Sequence, residues 1–236
     1  MLMDARAFTE GFRALVLWTA MQIDLAHAGD GEADALVSFL TPVLKAYGTD
    51  RGFETAVAMQ QVFGGHGYVK EWGVEQIVRD ARIGMIYEGA NGVQAMDLVG
   101  RKLARDGGKV AARFAAMVAA DCEGAPEWIA VPMREALADT RAAAQALLTG
   151  AARDPDGVGA GAYAFMQMIG LVAIGWMWAK MACWAEGRVD DFARAKAITA
   201  RHFAERALPE TAVLRRRVEA GSANLMALPM EAFARS

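Results

Sequence analysis

One segment limits what this chain can fold into more than any other. Residues 162–179, AYAFMQMIGLVAIGWMWA, contain no charged side chain. A helix of this length reaches the lower bound for spanning a bilayer, so a membrane span and a helix buried in the core of a bundle are both open. Because Gln167 interrupts the segment and amphipathic helices flank it, we favour the buried core helix and expect no membrane span.

The remaining sequence predicts an all-α protein. Hydrophobic residues make up 55% of the chain, prolines number 6, and runs of β-branched residues are few. Apolar residues recur three and four positions apart, as in amphipathic helices. The first predicted helix covers residues 4–28 and carries the stripe Phe8, Phe12, Leu15, Thr19 and Ile23. Further helices are expected near residues 109–121, 127–152, 158–186 and 190–206, with a short one after Pro209.

Prolines and glycines divide this helical pattern. We expect Pro42 to kink or to start the second long helix. That helix should stop at Gly64–Gly67, because three glycines in four residues are not expected to form helix. The sequence RDGGK at residues 105–109 looks like a domain boundary. We therefore predict an antiparallel helical bundle over residues 1–105 and a helical extension over residues 106–236.

Composition argues against several classes of function. The net charge is −3 with mixed signs, so no nucleic-acid surface is expected. Cys122 and Cys183 lie far apart without metal-binding spacing, so no metal site is predicted and both are expected to be reduced thiols, one of them buried. The first residues lack the basic start and cleavage site of a signal peptide. Together these features favour a cytoplasmic location.

The segment IYEGANGVQ, residues 86–94, contains the acid most suited to catalysis. Glu88 has two interpretations from the residues alone. It is either a solvated acid at the start of the following helix, favoured by the helix dipole, or a general base whose pKa is raised by an apolar niche beside Ile86 and Tyr87. In the second case, Gly89 would let a substrate approach the backbone closely.

The glycine turn at Gly64–Gly67 also has two interpretations. It can be a simple helix terminator, or a platform where exposed backbone groups and the Gln61 amide meet a polar cofactor. His66 lies within the turn but has no neighbour at the spacing of a metal site or catalytic triad.

Taken together, residues 61–94 resemble the C-terminal signature of acyl-CoA dehydrogenases. The matching pieces occur in order: QVFGGHGY, then VEQIVRDARI, then IYEGANGVQ. Helical stripes on both sides extend the resemblance over about residues 1–105. The tail, with GAYAFMQMIGLVAIGWMWAKMA and ARHFAERALPETAVL, is similar to the extra helical domain of larger bacterial members. The resemblance implies a helical bundle of the acyl-CoA dehydrogenase C-terminal type, followed by that extension.

The resemblance also implies a reaction. In this family, a glutamate at the position of Glu88 removes the α-proton of an acyl-CoA thioester, and the β-hydrogen leaves as hydride to FAD, giving a trans-2-enoyl-CoA. The backbone N–H of Glu88 and a flavin ribityl hydroxyl would polarise the thioester carbonyl, as an oxyanion hole does. Glu88 and Gly89 are therefore the predicted substrate-binding residues.

Cofactor contacts follow from the same resemblance. Gln61, Gly64 and Gly65 are expected against the adenosine end of an FAD held by a neighbouring subunit. Residues just after Gly89 should line the cofactor as well: Ala90, Asn91 and Gly92. Ala90 stands where threonine is usual, so a hydroxyl contact would be lost and Asn91 and backbone groups would have to compensate.

Other parts and partners are also implied. Family members have an N-terminal helical domain and a β-barrel before the region matched here, so we expect the isolated chain to bind FAD poorly and to be inactive. The implied partners are an acyl-CoA substrate, electron-transferring flavoprotein and a second copy in a homodimer or homotetramer. Two alternatives stay open, an acyl-CoA oxidase and a non-catalytic helical dimerisation module.

Overall fold

The regular structure of the chain is helical throughout the range described by the computed structural model, residues 1–234, and that range contains no β-strand. The α-helices in chain order are α1 (Leu2–His27), α2 (Gly31–Val62), α3 (Val74–Ile83), α4 (Asn91–Met96), α5 (Lys109–Cys122), α6 (Glu127–Gly150), α7 (Pro155–Ala185), α8 (Asp191–Arg206) and α9 (Glu210–Glu219). Short 3-10 turns cover Gly64–Gly67, Lys70–Trp72 and Met230–Ala234, and a π-helix covers Asp97–Leu103. The predicted all-α bundle is confirmed.

Helix α7 is the centre of the molecule. It packs against α1, α2, α4, α5, α6, α8 and α9. Trp176, Trp178 and Phe165 are at most 1% exposed. By length and composition α7 could cross a membrane, with a mean hydropathy of 1.6 in its most apolar 18-residue window, yet 67% of that window is buried inside the protein. The uncharged segment thus forms the buried core helix that its sequence suggested.

Both halves of the sequence contribute to one hydrophobic core. Buried apolar side chains from α1 and α2 form a continuous cluster with those of α5 to α9. The boundary predicted at residues 105–106 falls in the turn between the π-helix and α5. The division into two domains stays a prediction, but the two segments share their core.

Helix α2 begins earlier than its proline suggested. The Asp30 carboxylate accepts hydrogen bonds from the N–H groups of Glu32 and Ala33, at 2.9 and 3.1 Å, and caps the helix there. The helix then runs through the buried Pro42 to Val62. Of the two alternatives for Pro42, a helix start was wrong, because a good N-cap and tertiary packing outweigh the loss of one backbone hydrogen bond, and the kink stays a prediction.

Two further expectations need correction. Gly64–Gly67 forms a 3-10 turn rather than non-helical chain, and only Gly64 of these glycines has a positive φ, 59°. On α1, Ile23 is 40% exposed while Gln22 is buried. The inward stripe steps by four residues from Leu15 to Thr19 and then by three, as a period of 3.6 requires.

Helix α7 approaches α2 closely through a glycine. A Cβ atom added at Gly170 would overlap the ring of Tyr47. The aromatic ring therefore lies directly on the α7 backbone. Such close packing leaves little room for adjustment in the core.

The cysteines differ in their surroundings. Cys122 is buried, and burial raises the pKa of its thiol to about 11. Cys183 is partly buried, and burial raises its pKa too. The expectation that one of the two thiols is buried is confirmed.

The substitution Gly170→Ala tests the contact between α7 and α2. We expect it to lower the free energy of unfolding by about 1–3 kcal/mol, because the added methyl group meets the Tyr47 ring. The control is Gly52→Ala in α2, where a Cβ meets nothing within 4 Å and which should raise stability by about 0.5–1 kcal/mol. Urea unfolding followed by circular dichroism measures both. Equal stability of the two variants would contradict the close approach.

Candidate active site

The predicted catalytic segment is a strained turn between α3 and α4. Glu88 has a φ of 50° and Gly89 a φ of 80°, so two consecutive residues are left-handed. Within residues 1–234, Glu88 is the one non-glycine residue with a positive φ. Such a conformation costs an ordinary residue about 1–2 kcal/mol, so the surrounding structure must hold it in place.

Three residues, Lys45, Asn91 and Gln94, hold this turn. The Lys45 ammonium donates a hydrogen bond to the carbonyl of Gly89 at 2.8 Å. The backbone N–H of Asn91 donates to the carbonyl of Met85 at 3.1 Å and closes the base of the turn. The Gln94 amide lies 3.4 Å from the carbonyl oxygens of Glu88 and Gly89. The carbonyls of the turn are thus fixed by α2 and α4.

Asn91 lies beneath the turn rather than on its surface. Its side chain is 4% exposed. The amide nitrogen donates to Asp50 at 2.6 Å and to the carbonyl of Ala46 at 3.1 Å, and the amide oxygen accepts from Lys45 at 2.8 Å. With its backbone N–H bound to Met85, Asn91 has no free donor for the predicted cofactor contact. Its observed role is to support the turn.

Several backbone donors of the turn are left without a hydrogen-bond partner. Across the described range, the N–H groups of Glu88, Gly89, Ala90 and Gly92 donate no hydrogen bond. All four residues are exposed. Ala90 is the N-cap of α4 and has no side-chain oxygen to fill that role. Clustered N–H groups of this kind suit an anionic or carbonyl oxygen from a ligand.

The Glu88 carboxylate is exposed and makes no ion pair or hydrogen bond with any residue that the structure describes. The helix-cap interpretation was wrong, since α4 is capped at Ala90 without a side-chain hydrogen bond. Ile86 and Tyr87 are 52% and 51% exposed. Described residues therefore provide apolar neighbours for the carboxylate but do not enclose it.

The other predicted cofactor residues lie at the far end of α2. Gln61, Gly64 and Gly65 are exposed, and a Cβ at either glycine would meet nothing within 4 Å. At the usual rise of an α-helix, the α2 segment from Lys45 to Gln61 is about 24 Å long. The structure thus places these residues apart from the Glu88–Gly89 turn within one chain.

Sequence reasoning missed the residues that support the turn. Lys45, Thr49 and Asp50 of α2 and Tyr163 of α7 surround Asn91 or its partners. One signal was available, because Asp50 follows Tyr47 by three positions on the apolar stripe of α2. A carboxylate on a buried stripe requires hydrogen-bond donors from elsewhere in the fold. The spacing could not identify Tyr163 as one of them.

Comparison with known families covers nearly the whole chain. The family described as "Acyl-CoA dehydrogenase, C-terminal domain" matches residues 1–103. The family described as "Acetyl-CoA dehydrogenase C-terminal like" matches residues 111–229.

Individual relatives agree with these matches. A 3-methylmercaptopropionyl-CoA dehydrogenase of Ruegeria pomeroyi is 41% identical over 226 residues, which cover 89% of this chain and 38% of that protein. The broad-specificity linear acyl-CoA dehydrogenase FadE5 of Mycobacterium tuberculosis is 30% identical, over 98% of this chain and 42% of that protein. The chain thus spans about two fifths of the length of these curated relatives.

A solved structure shares the fold. Caenorhabditis elegans ACDH-11, crystallised in complex with C11-CoA, superposes with a TM-score of 0.65 over 86% of this chain and 35% of that chain, at 18% sequence identity. Fold, family matches and relatives lead to the same conclusion. The chain belongs to the acyl-CoA dehydrogenase family, in which it corresponds to the C-terminal helical region.

Proposed function

We propose that this chain is the C-terminal part of an FAD-dependent acyl-CoA dehydrogenase, with Glu88 as the base that removes the α-proton of the acyl-CoA. One observation carries the proposal. Glu88 presents an exposed carboxylate on a left-handed turn that buried polar residues hold from beneath. Relatives named for 3-methylmercaptopropionyl-CoA and linear acyl-CoA, and a fold neighbour in complex with C11-CoA, support a CoA thioester as the substrate class.

The turn offers the two groups that α-proton removal needs. A carboxylate is too weak a base for an unactivated α-C–H bond, so the thioester carbonyl must be polarised as the proton leaves. The backbone N–H of Glu88 has no partner in the described structure and can donate to that carbonyl. The proton moves to the Glu88 carboxylate, and the developing negative charge on the thioester oxygen is stabilised by the N–H.

Substrate binding would strengthen this base. Ile86 and Tyr87 directly precede Glu88 in the chain and expose apolar surface. When an acyl chain covers that surface, water is excluded and the charged form of the carboxylate loses solvation. A carboxylate that has lost its water of solvation is a stronger base towards the α-C–H bond.

Two exposed regions fit a dinucleotide cofactor. Unpartnered N–H groups at Ala90 and Gly92 can bind polar oxygens near Glu88, and Gln61 with Gly64 and Gly65 forms open surface about 24 Å along α2. Because of this separation, the two regions would contact different FAD molecules. The FAD at Gln61, Gly64 and Gly65 would be held mainly by a neighbouring subunit. FAD, when bound, supplies the acceptor for the β-hydride, and electron-transferring flavoprotein is the proposed final acceptor.

Exposed apolar side chains favour assembly into a homodimer or homotetramer. Ile77, Ile83, Val93 and Met96 of α3 and α4 are each about half exposed. Exposed large apolar side chains of this kind are common at protein–protein interaction sites. The same exposed side chains favour the alternative of a non-catalytic dimerisation module, which turnover of Glu88→Gln distinguishes from the enzyme.

Glu88→Gln in the full-length protein that carries this segment tests the base. The amide keeps the shape of the side chain but accepts no proton, so we expect kcat to fall about 10²- to 10⁴-fold. The exposed Glu186→Gln is the matched control and should leave turnover unchanged. Reduction of electron-transferring flavoprotein by acyl-CoA measures both variants, and peroxide release identifies an oxidase. Turnover within a few-fold of the parent would instead favour the dimerisation module.

Flavin content of the isolated 236-residue chain tests whether it holds the cofactor alone. We expect a nearly colourless protein without dehydrogenation of acyl-CoA, because the described cofactor contacts are exposed and few. Absorbance of the purified chain after incubation with FAD measures binding. Flavin close to one per chain would contradict this expectation.

Ala90→Thr tests the effect of having alanine, where threonine is usual in the family, at the N-cap of α4. A threonine hydroxyl can accept the free N–H of Gly92 or a neighbouring donor, so the free energy of unfolding should rise by about 0.5–1 kcal/mol. In the full-length protein, FAD should also bind several-fold more tightly. Thermal unfolding and flavin titration measure the two effects, with Ala90→Val as the control that lacks the hydroxyl. Equal behaviour of threonine and valine would exclude a role for the hydroxyl.

A further inference from the structure

A buried carboxylate lies beneath the candidate active site, and α7 supplies one of its hydrogen-bond donors. Asp50 of α2 is 4% exposed. One of its oxygens accepts the hydroxyl of Tyr163, and the other accepts the Asn91 amide at 2.6 Å. A buried carboxylate is stable only when such donors are present, so Tyr163 and Asn91 are held to Asp50 in fixed positions.

The hydrogen bonds continue without a gap from Asp50 to the turn. Asn91 accepts a hydrogen bond from the Lys45 ammonium at 2.8 Å, and the same ammonium donates to the carbonyl of Gly89 at 2.8 Å. Thr49 lies beside this path, with its hydroxyl 2.9 Å from the Asn91 amide nitrogen and 3.3 Å from the amide oxygen, to which it can donate. A connected path therefore runs from Tyr163 to the residue directly after Glu88.

The Tyr163 hydroxyl is the hydrogen-bond donor at the start of this path. Burial, together with its hydrogen bond to Asp50, raises the pKa of the phenol. The hydroxyl therefore stays protonated at neutral pH and donates to the carboxylate. Tyr163 also lies in α7, outside the segment that contains Glu88 and the glycine turn.

We propose that Tyr163 is a positioning residue, through which the C-terminal half of the chain holds Glu88 in its left-handed conformation by way of Asp50, Asn91 and Lys45. The effect on order in the turn stands on the geometry alone. The effect on turnover rests on the proposed function, in which Glu88 is the base. Both effects have separate tests.

Hydrogen exchange of the 236-residue chain, followed by NMR, tests the effect on the turn. In Tyr163→Phe we expect the backbone amide of Asn91, which donates to Met85, to exchange about tenfold faster, because a hydrogen bond to a charged group is lost. The matched control is Trp178→Phe, which removes a donor from the same helix. Its indole donates to the carbonyl of Ala7 at 3.0 Å and so ties α7 to α1 rather than to the turn.

A second variant distinguishes loss of this hydrogen-bond path from a general destabilisation of the fold. Asp50→Asn keeps the size of the side chain but removes the negative charge that orients Tyr163 and Asn91. It should raise exchange at Asn91 as Tyr163→Phe does. Faster exchange at Asn91 in these two variants but not in Trp178→Phe supports the proposal. Exchange at Asn91 in Tyr163→Phe no faster than in Trp178→Phe would overturn it.

Turnover in the full-length protein tests the catalytic consequence. We expect Tyr163→Phe to lower kcat about tenfold with a smaller change in KM for acyl-CoA, because the carboxylate and N–H of Glu88 are displaced while the rest of the substrate surface is intact. Unchanged kcat, in a protein where Glu88→Gln is inactive, would overturn the positioning role and leave the proposed function standing. Full turnover of Glu88→Gln would overturn the proposed function, whereas the exchange results would still decide whether Tyr163 orders the turn.

Discussion

The structure depends first on covering α7 on every side. A helix that is apolar around its whole circumference must be surrounded by other elements if it is to lie in a protein interior. Its neighbours come from both halves of the sequence, with α1 and α2 on the N-terminal side and α5 to α9 on the C-terminal side. The halves therefore share the burial that stabilises them, and the buried cluster continues across the two matched family segments, 1–103 and 111–229.

Most of the fold could be predicted, because helices are indicated by apolar residues spaced three and four positions apart in the sequence. The periodicity of apolar residues gave the helices of the C-terminal half to within a few residues, and the charge-free segment at 162–179 gave the central helix. Errors arose where a neighbouring interaction outweighed a residue's usual preference. Asp30 starts α2 well before Pro42, and the chain after α2 continues as a 3-10 turn despite its glycines.

The candidate site was less accessible to sequence reasoning. Glu88 could be identified because its flanking motif is ordered and local. The support beneath it could not, because Asn91, Asp50 and Tyr163 come from three helices and meet only in the folded chain. Asn91 illustrates the difficulty: its place in the motif indicated a cofactor contact, whereas burial and four polar neighbours make it part of the interior. The local sequence motif identifies Glu88 as the candidate catalytic residue. Hydrogen bonds between residues far apart in the sequence determine the conformation of the turn that carries it.

The left-handed backbone at Glu88 has an evolutionary consequence. Glycine adopts this conformation without penalty, and asparagine does so more readily than glutamate. The residue that would best stabilise the fold at position 88 is therefore not an acid. A library of variants selected for thermal stability alone would drift towards glycine or asparagine there and lose the carboxylate, so selection for stability and selection for the proposed proton abstraction act in opposite directions at this position.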